Sequence, residues 1–323
     1  MSSVYTMELI NAEGPRIGHL DYFILASGSD TRAYQILSRV DADASSKTNV
    51  IMFNYPERLR NRPPDDPIFN YRTLAIANLQ EVECEIRNPS SSLSALESNA
   101  FDASKNIGID ISCFTKPYFY FLIKLLRERF NVLKIDAYYT EPQFYGFEKG
   151  IFTAFHTNAG PLSIIEMPGY SGQEPRDAIR KLIILLGFDG DLSREINEDV
   201  SPGETIVVNG FPSYSPKFKD ISLIANEKLV SDHNIKVAYA RANHPFEVYN
   251  LLDALKKEAS AATQGEETFI NIAPLGTKPM ALGACLFALH NPEVRVVYPL
   301  PETYKDKYSD ACWSSWRYEL PLA

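Results

Sequence analysis

Short, almost wholly apolar runs alternate with helix-forming stretches along most of the chain, and that rhythm restricts the fold more than any other feature. "DYFILAS" (21–27), "NVIMFNY" (49–55), "NIGIDIS" (106–112) and "VLKIDAYYTEP" (132–142) read as strands in the first half. "KLIILLGF", "ETIVVNGFP", "NIKVAYARA", "TFINIAP" and "VRVVYPLP" do so in the second. A strand that is apolar at successive positions offers no face to water, so it must be covered on both sides, as in a parallel sheet wrapped by βα crossovers. "DTRAYQILSRV", started by Ser29 or Asp30 as cap, reads as a helix, as do "FKDISLIANEKLV", "PFEVYNLLDALKKEASAAT" and "KPMALGACLFALH". The expected class is α/β, with two tandem Rossmann-like units, each doubly wound and mainly parallel.

Residues 146–175 interrupt the rhythm. "GIFTAFHT" and "LSIIEMPG" flank "NAGP", whose Asn and Gly-Pro suit a hairpin turn. The expected organisation is therefore a first unit over 1–150, a bridging β-hairpin over 151–175 and a second unit over 176–323.

Composition limits the functions open to such a fold. At 323 residues there is ample core for one large domain or two ordinary ones. A formal net charge of −9 argues against general binding to a nucleic-acid duplex, which rewards the opposite balance, but leaves room for a small anion held by a few local donors. No apolar run has the length of a membrane span, and "MSSVYTMELI" lacks the pattern of a signal peptide, so a cytoplasmic location is expected. Cys84, Cys113, Cys285 and Cys312 are scattered, with no CxxC pair and no histidine at ligand spacing. Neither a structural metal nor a cofactor is expected.

The halves echo one another. Thr-Lys-Pro occurs twice, and Lys116 and Lys278 lie 162 residues apart, as do Gly28 and Gly190. Tyr139/Tyr298, Pro142/Pro301 and Tyr145/Tyr304 are each separated by 159, and Asn54/Asn209 by 155. Offsets that drift by a few residues are what loop insertions produce in a duplicated unit.

In an open parallel sheet, ligands bind beyond the carboxyl ends of the strands, where helix N-termini point. "NIAPLGTKPM" (271–280) places Gly276, Thr277 and Lys278 at such a corner: backbone N–H groups, a helix dipole, a hydroxyl and an ammonium, a set that favours phosphate. Pro279 and Pro117 suit a first helical turn. The first half offers Ser112, Thr115 and Lys116 in the matching place, with Phe114 where the second corner has glycine. Gly28, Ser29, Thr31 and Arg32, and Gly190 in the second unit, belong to loops that should line the same crevices. Neither GxxxxGK[ST] nor GxGxxG is present.

"NIAPLGTKPMALGACLFA" resembles the Gly-Gly-Thr-Lys strand-to-helix corner of the CRISPR-associated Rossmann-fold (CARF) sensor domains, and the tandem arrangement resembles the related SAVED sensors, which fuse two such units. Thr277 and Lys278 match the motif directly. The resemblance covers about twenty residues. It implies a sensor of a nucleotide-type phosphate ligand, such as a cyclic oligonucleotide, in prokaryotic antiviral defence, with two units facing one ligand and output through an effector partner. Leu275 replaces the first glycine of the motif, which leaves open a different ligand or a degenerate half-site.

Two other functions fit the same fold: a nucleotide-processing phosphodiesterase or transferase, and a scaffold subunit with inactive pockets. Asp189 and Asp191 form a DxD pair that suits Mg²⁺ or, more simply, a capped turn. No GxSxG elbow supports a hydrolase triad. His244 in "ANHPFE" sits at a strand end, and "CWSSWRYEL" reads either as a terminal strand packed on the core or as an aromatic anchor for a ligand or partner.

Overall fold

The computed structural model describes residues 5–10, 17–27, 31–40, 47–56, 76–145, 162–262, 267–301 and 309–323. Its strands, in chain order, are β1 (Thr6–Ile10), β2 (Tyr22–Ala26), β3 (Asn49–Asn54), β4 (Asn78–Glu83), β5 (Ile107–Asp110), β6 (Lys134–Tyr145), β7 (Leu162–Glu166), β8 (Ile179–Leu185), β9 (Glu204–Gly210), β10 (Lys236–Ala240), β11 (Thr268–Pro274), β12 (Arg295–Pro301) and β13 (Ser309–Pro321). The α-helices are α1 (Leu93–Glu97), α2 (Lys116–Glu128), α3 (Gly190–Val200), α4 (Pro216–Ala225), α5 (Glu227–Val230), α6 (Pro245–Ala262) and α7 (Lys278–His290). None of them is long and apolar enough to cross a membrane.

The strands form two mostly parallel sheets, one of seven and one of six strands, ordered β1-β13-β6-β5-β2-β3-β4 and β10-β9-β8-β11-β12-β7. Counting only the five parallel strands of each, both sheets have the order 3-2-1-4-5, the doubly wound arrangement whose switch point lies between the first and fourth strands. Each sheet then adds an antiparallel neighbour beside its fifth strand, β13 beside β6 and β7 beside β12. The α/β expectation of two Rossmann-like units therefore holds.

The boundaries differ from the sequence expectation. One compact unit comprises Met1–Gly146 together with Asp306–Ala323, and the other comprises Phe147–Lys305. The C-terminal segment leaves the expected second unit of 176–323 because β13 pairs with β6 from Ser309↔Tyr145 to Pro321↔Lys134, and its other edge takes β1. Alternation along a strand says which residues face a core, not which sheet edge it joins. The expected hairpin is also recast. "LSIIE" forms β7, but its pairing partner is β12, so it is an edge strand of the second sheet. The expected first arm and the "NAGP" turn lie outside the described residues. "DTRAYQILSRV" forms two short 3₁₀ turns, Thr31–Tyr34 and Leu37–Arg39, rather than one helix. "FKDISLIANEKLV" breaks at Asn226, whose side chain turns back to the carbonyls of Gly187 and Ser222.

In the second unit, the residues of β8 divide between two cores. Ile183 and Leu185 pack with Val248 and Leu252 of α6 and with Met280, Ala284 and Phe287 of α7. Leu182 and Ile184 pack with Ile196 and Val200 of α3 and Leu229 of α5. Two-sided burial is why the run is apolar without alternation. α7 is buried from Pro279 to Ala288, which explains a helix with no polar face. It approaches α6 so closely that a Cβ on Gly283 would lie 2.1 Å from the Pro245 carbonyl oxygen.

One polar residue breaks this core. Asn271, in the middle of β11, is fully buried, and neither amide atom has a hydrogen-bond partner among the described residues. Such a deficit costs roughly 1–3 kcal/mol. Asn271→Leu, which keeps the branching and heavy-atom count of the side chain though it is bulkier, is expected to raise stability by about 1 kcal/mol in denaturant unfolding; a loss beyond the roughly 1–3 kcal/mol of overpacking would show that the amide has a partner in solution.

Candidate functional site

The Gly276–Thr277–Lys278 corner follows β11, the fourth parallel strand, and opens the thirteen-residue helix α7. Leu275 through Lys278 are half-buried between buried Pro274 and buried Pro279. Thr277 is the N-cap, with φ −60° and ψ 159°, and its Oγ1 accepts the Met280 amide at 3.3 Å. The same hydroxyl donates its proton to the Ala242 carbonyl, which also accepts from the Tyr214 hydroxyl at 3.1 Å. Thr277 is thus a strut between the loops after β11 and β10, and its hydroxyl proton is committed within the protein. Gly276 has its own steric reason: a Cβ there would stand 3.2 Å from the Leu186 carbonyl oxygen and 3.1 Å from Met280 Sδ. The loop after β8 comes as near on the other side, since a Cβ on Gly187 would lie 2.7 Å from the Leu275 oxygen. The ends of the first and fourth strands are therefore in close backbone contact at the switch point.

Lys278 occupies the first helical position, and Lys116 occupies the same position in α2. A cation at a helix N-terminus is disfavoured by the dipole, by about 0.3–1 kcal/mol. Helix formation does not call for lysine there, whereas an anion would make it favourable.

Gly190 begins α3, but its position is set by packing. A Cβ would fall 1.8 Å from the Ala225 carbonyl oxygen. The start of α3 is already served by a carboxylate, because Asp189 is its N-cap and Oδ1 accepts the Leu192 amide at 3.3 Å. The DxD pair accordingly forms a capped turn, and no group of three potential metal ligands occurs among the described residues.

The first unit's corner is closed. Ser112 is fully buried and its Oγ accepts the Thr140 amide at 2.8 Å. Phe114, 1% exposed, packs at the edge of Phe53 and parallel to Tyr118. Thr115 caps α2 by position only: its hydroxyl is buried and has no hydrogen-bond partner among the described residues. Lys116 is half-buried. Arg32 is buried at 3% exposure, with Nη1 donating to the Thr140 carbonyl at 3.3 Å. Gly28 and Ser29 lie outside the described residues, as does the side chain of Thr31. Ser112 and Arg32 thus meet at Thr140 in the middle of β6, and both, like Thr115, are buried groups.

Sequence reasoning passed over Glu141, three residues beyond the last β5–β6 pair. Its side chain is buried, Oε1 accepts the Trp316 indole N–H at 2.7 Å, and burial pushes the carboxyl up to about 7 against the pull of that hydrogen bond. A carboxyl tuned near neutrality is a feature of acid–base and proton-linked sites. The available signal was an acid following the aromatic pair of a strand, in "AYYTEP". Trp316 lies in β13, in keeping with the reading of the C-terminal tryptophans as part of a packed strand, while Trp313 is exposed. His244 starts α6, with Nδ1 accepting the Glu247 amide at 3.1 Å. Tyr139 is buried, and Tyr304 lies outside the described residues.

A scan against protein-family models finds no match, and neither does a search of curated proteins. Among solved structures, a ketoreductase domain from the bacillaene assembly line aligns at 12% identity and a TM-score of 0.19, over 89% of this chain and 68% of that one. At that score the likeness carries no argument, and the doubly wound assignment rests on the strand order of the two sheets.

Proposed function

We propose that this protein binds a compact phosphate-bearing ligand of nucleotide type at the Gly276–Thr277–Lys278 corner and passes that binding to a partner protein. The carrying observation is the repeated Thr-Lys-Pro: in both units it follows the fourth parallel strand, with threonine as N-cap and lysine opening a thirteen-residue helix. Two lysines at a position the helix dipole disfavours support a bound anion. The half-buried second corner is the ligand site, and the buried first corner is its closed counterpart. The resemblance of the second corner to CARF and SAVED sensors extends this reading to a cyclic oligonucleotide signal in prokaryotic antiviral defence.

A scaffold role is the second reading. It draws on the closed first corner and on the Thr277 hydroxyl already held by Ala242. Titration with linear and cyclic oligonucleotides, following both melting temperature and product formation, separates the readings. Binding predicts a saturable rise without turnover, and no response to any of them supports the scaffold. Lys278→Ala is expected to abolish the rise while leaving the unliganded protein within about 0.5 kcal/mol of the native one. Undiminished binding by that variant would remove the corner from consideration.

A further inference from the structure

Four strands end the two sheets: β1 and β4 in the first unit, β7 and β10 in the second. A sheet edge presents unpaired backbone N–H and C=O groups, and folded proteins commonly guard it with charge. Three of these strands carry glutamate, among them Glu8, Glu83 and Glu166, on a chain of net charge −9, so two copies meeting there would oppose like charges. β10, "KVAYA", has no acid. Its single charge is already matched, since Lys236 Nζ lies 2.6 Å from Glu204 Oε1.

The backbone groups of β10 divide between its two sides. The Ala240 carbonyl accepts the Phe211 amide at 2.7 Å, so Ala240 bonds towards β9. Backbone groups alternate along a strand, so Lys236 and Ala238 also bond inward, and Val237 and Tyr239 turn their N–H and C=O to the free edge. The outward series stops at Arg241, whose N–H donates to Glu247 Oε1 at 3.3 Å. The free edge of the strand therefore consists of Val237 and Tyr239, placed symmetrically about Ala238.

The side chains at that edge are apolar and uncovered. Val237, Tyr239 and Phe211 are 40%, 49% and 51% exposed, three of the eight large apolar side chains so exposed among the described residues. Val237 and Tyr239 share one face of the strand, and the Phe211 ring meets Tyr239 edge-on, with centroids 6.3 Å apart. Apolar side chains gathered in this way mark an interaction surface.

We propose that β10 pairs antiparallel with β10 of a second copy of this chain, about a two-fold axis at Ala238, joining two six-stranded sheets edge to edge. In that register Val237 of each copy faces Tyr239 of the other and the two exchange both backbone hydrogen bonds, so every outward N–H and C=O finds a partner. A β-branched side chain opposite an aromatic one is a favourable cross-strand pair. Lys236 faces Ala240 and Arg241 faces Ile235, so no like charges are opposed. A strand of another sequence would share the hydrogen bonds but not this match. The surface lies within the second unit and does not depend on the Lys278 corner.

The test is sedimentation velocity of the full chain over a series up to about 100 μM, which detects a dimer with a micromolar Kd. Far-ultraviolet circular dichroism checks folding. The native protein is expected to pass from monomer to dimer as concentration rises. Tyr239→Lys, at an exposed position, should keep the native spectrum and weaken dimerisation roughly tenfold or more, because both symmetric pairs are lost. Oxidative cross-linking reads the register in a Cys312→Ser background, the other native cysteines being buried. Ala238→Cys should form an intermolecular disulfide, because opposed residues of a non-hydrogen-bonded pair have Cα atoms about 4.5 Å apart. Lys236→Cys should not, since its counterpart would lie about 13 Å along the partner strand. The proposal is overturned by a protein that stays monomeric throughout the series, by a folded Tyr239→Lys protein that dimerises as tightly as the native one, or by an Ala238→Cys protein that cross-links no faster than Lys236→Cys.

Discussion

Raising the pH from 5 to 8 is expected to cost this protein roughly 2.5 kcal/mol of stability through Glu141, a loss that Glu141→Gln should remove. The carboxyl has an ordinary value of 4.5, and burial pushes it up to about 7 in the folded chain. Below the ordinary value the group is protonated in folded and unfolded chains alike, and its contribution is complete. Between the two values the unfolded chain gives up the proton while the folded chain keeps it, so stability falls as pH rises. Above the folded value the loss levels off. Glutamine keeps an oxygen for the Trp316 indole and never ionises, so denaturant unfolding of the two proteins at pH 5 and pH 8 isolates the effect. Other groups are common to both proteins and cancel in the comparison. Glu204, held low by hydrogen bonds from Lys181 and Lys236, loses its contribution only as pH falls. His244, pushed down by burial, has a slope of the opposite sign. Parallel pH profiles for the native protein and the Glu141→Gln variant would show that Glu141 is not proton-linked to folding.

Gly190→Ala is expected to destabilise the fold by about 2–3 kcal/mol, although alanine is the better helix former. The added Cβ would stand 1.8 Å from the Ala225 carbonyl oxygen and 2.7 Å from its carbon. Both are backbone atoms, so relief requires α3 or the α4–α5 junction to move. That junction is tied down by Ser222 and Asn226, which donate to the Gly187 carbonyl at 2.8 and 3.0 Å. Thermal and denaturant unfolding of the variant, alongside ligand titration, reads the role of the glycine directly. A packing glycine shows lost stability. A protein of native stability with impaired ligand binding would instead return Gly190 to the ligand site.

The sequence by itself determined the layers. Runs such as "DYFILAS" and "TFINIAP" are apolar at successive positions because both faces of their strands are covered, and that pattern is local enough to be read without coordinates. It also determined that the two halves share a plan: Lys116 and Lys278 open helices after the fourth parallel strand, and Asn54 and Asn209 lie at the ends of the second strands. Polar edge elements were less legible. β4, "NLQEVE", lies at a sheet edge and carries little apolar signal.

Tertiary structure alone decided the partners. Nothing local to "CWSSWRYEL" says that its strand crosses back to β6, because pairing across 175 residues, as between Thr140 and Ser315, leaves no periodic trace. Nor does "GTK" disclose that its threonine proton belongs to Ala242, a carbonyl on another loop. The state of Glu141 likewise depends on what surrounds it. A carboxyl's affinity for its proton follows from the water removed from it and the groups facing it, and both are supplied by residues distant in the chain.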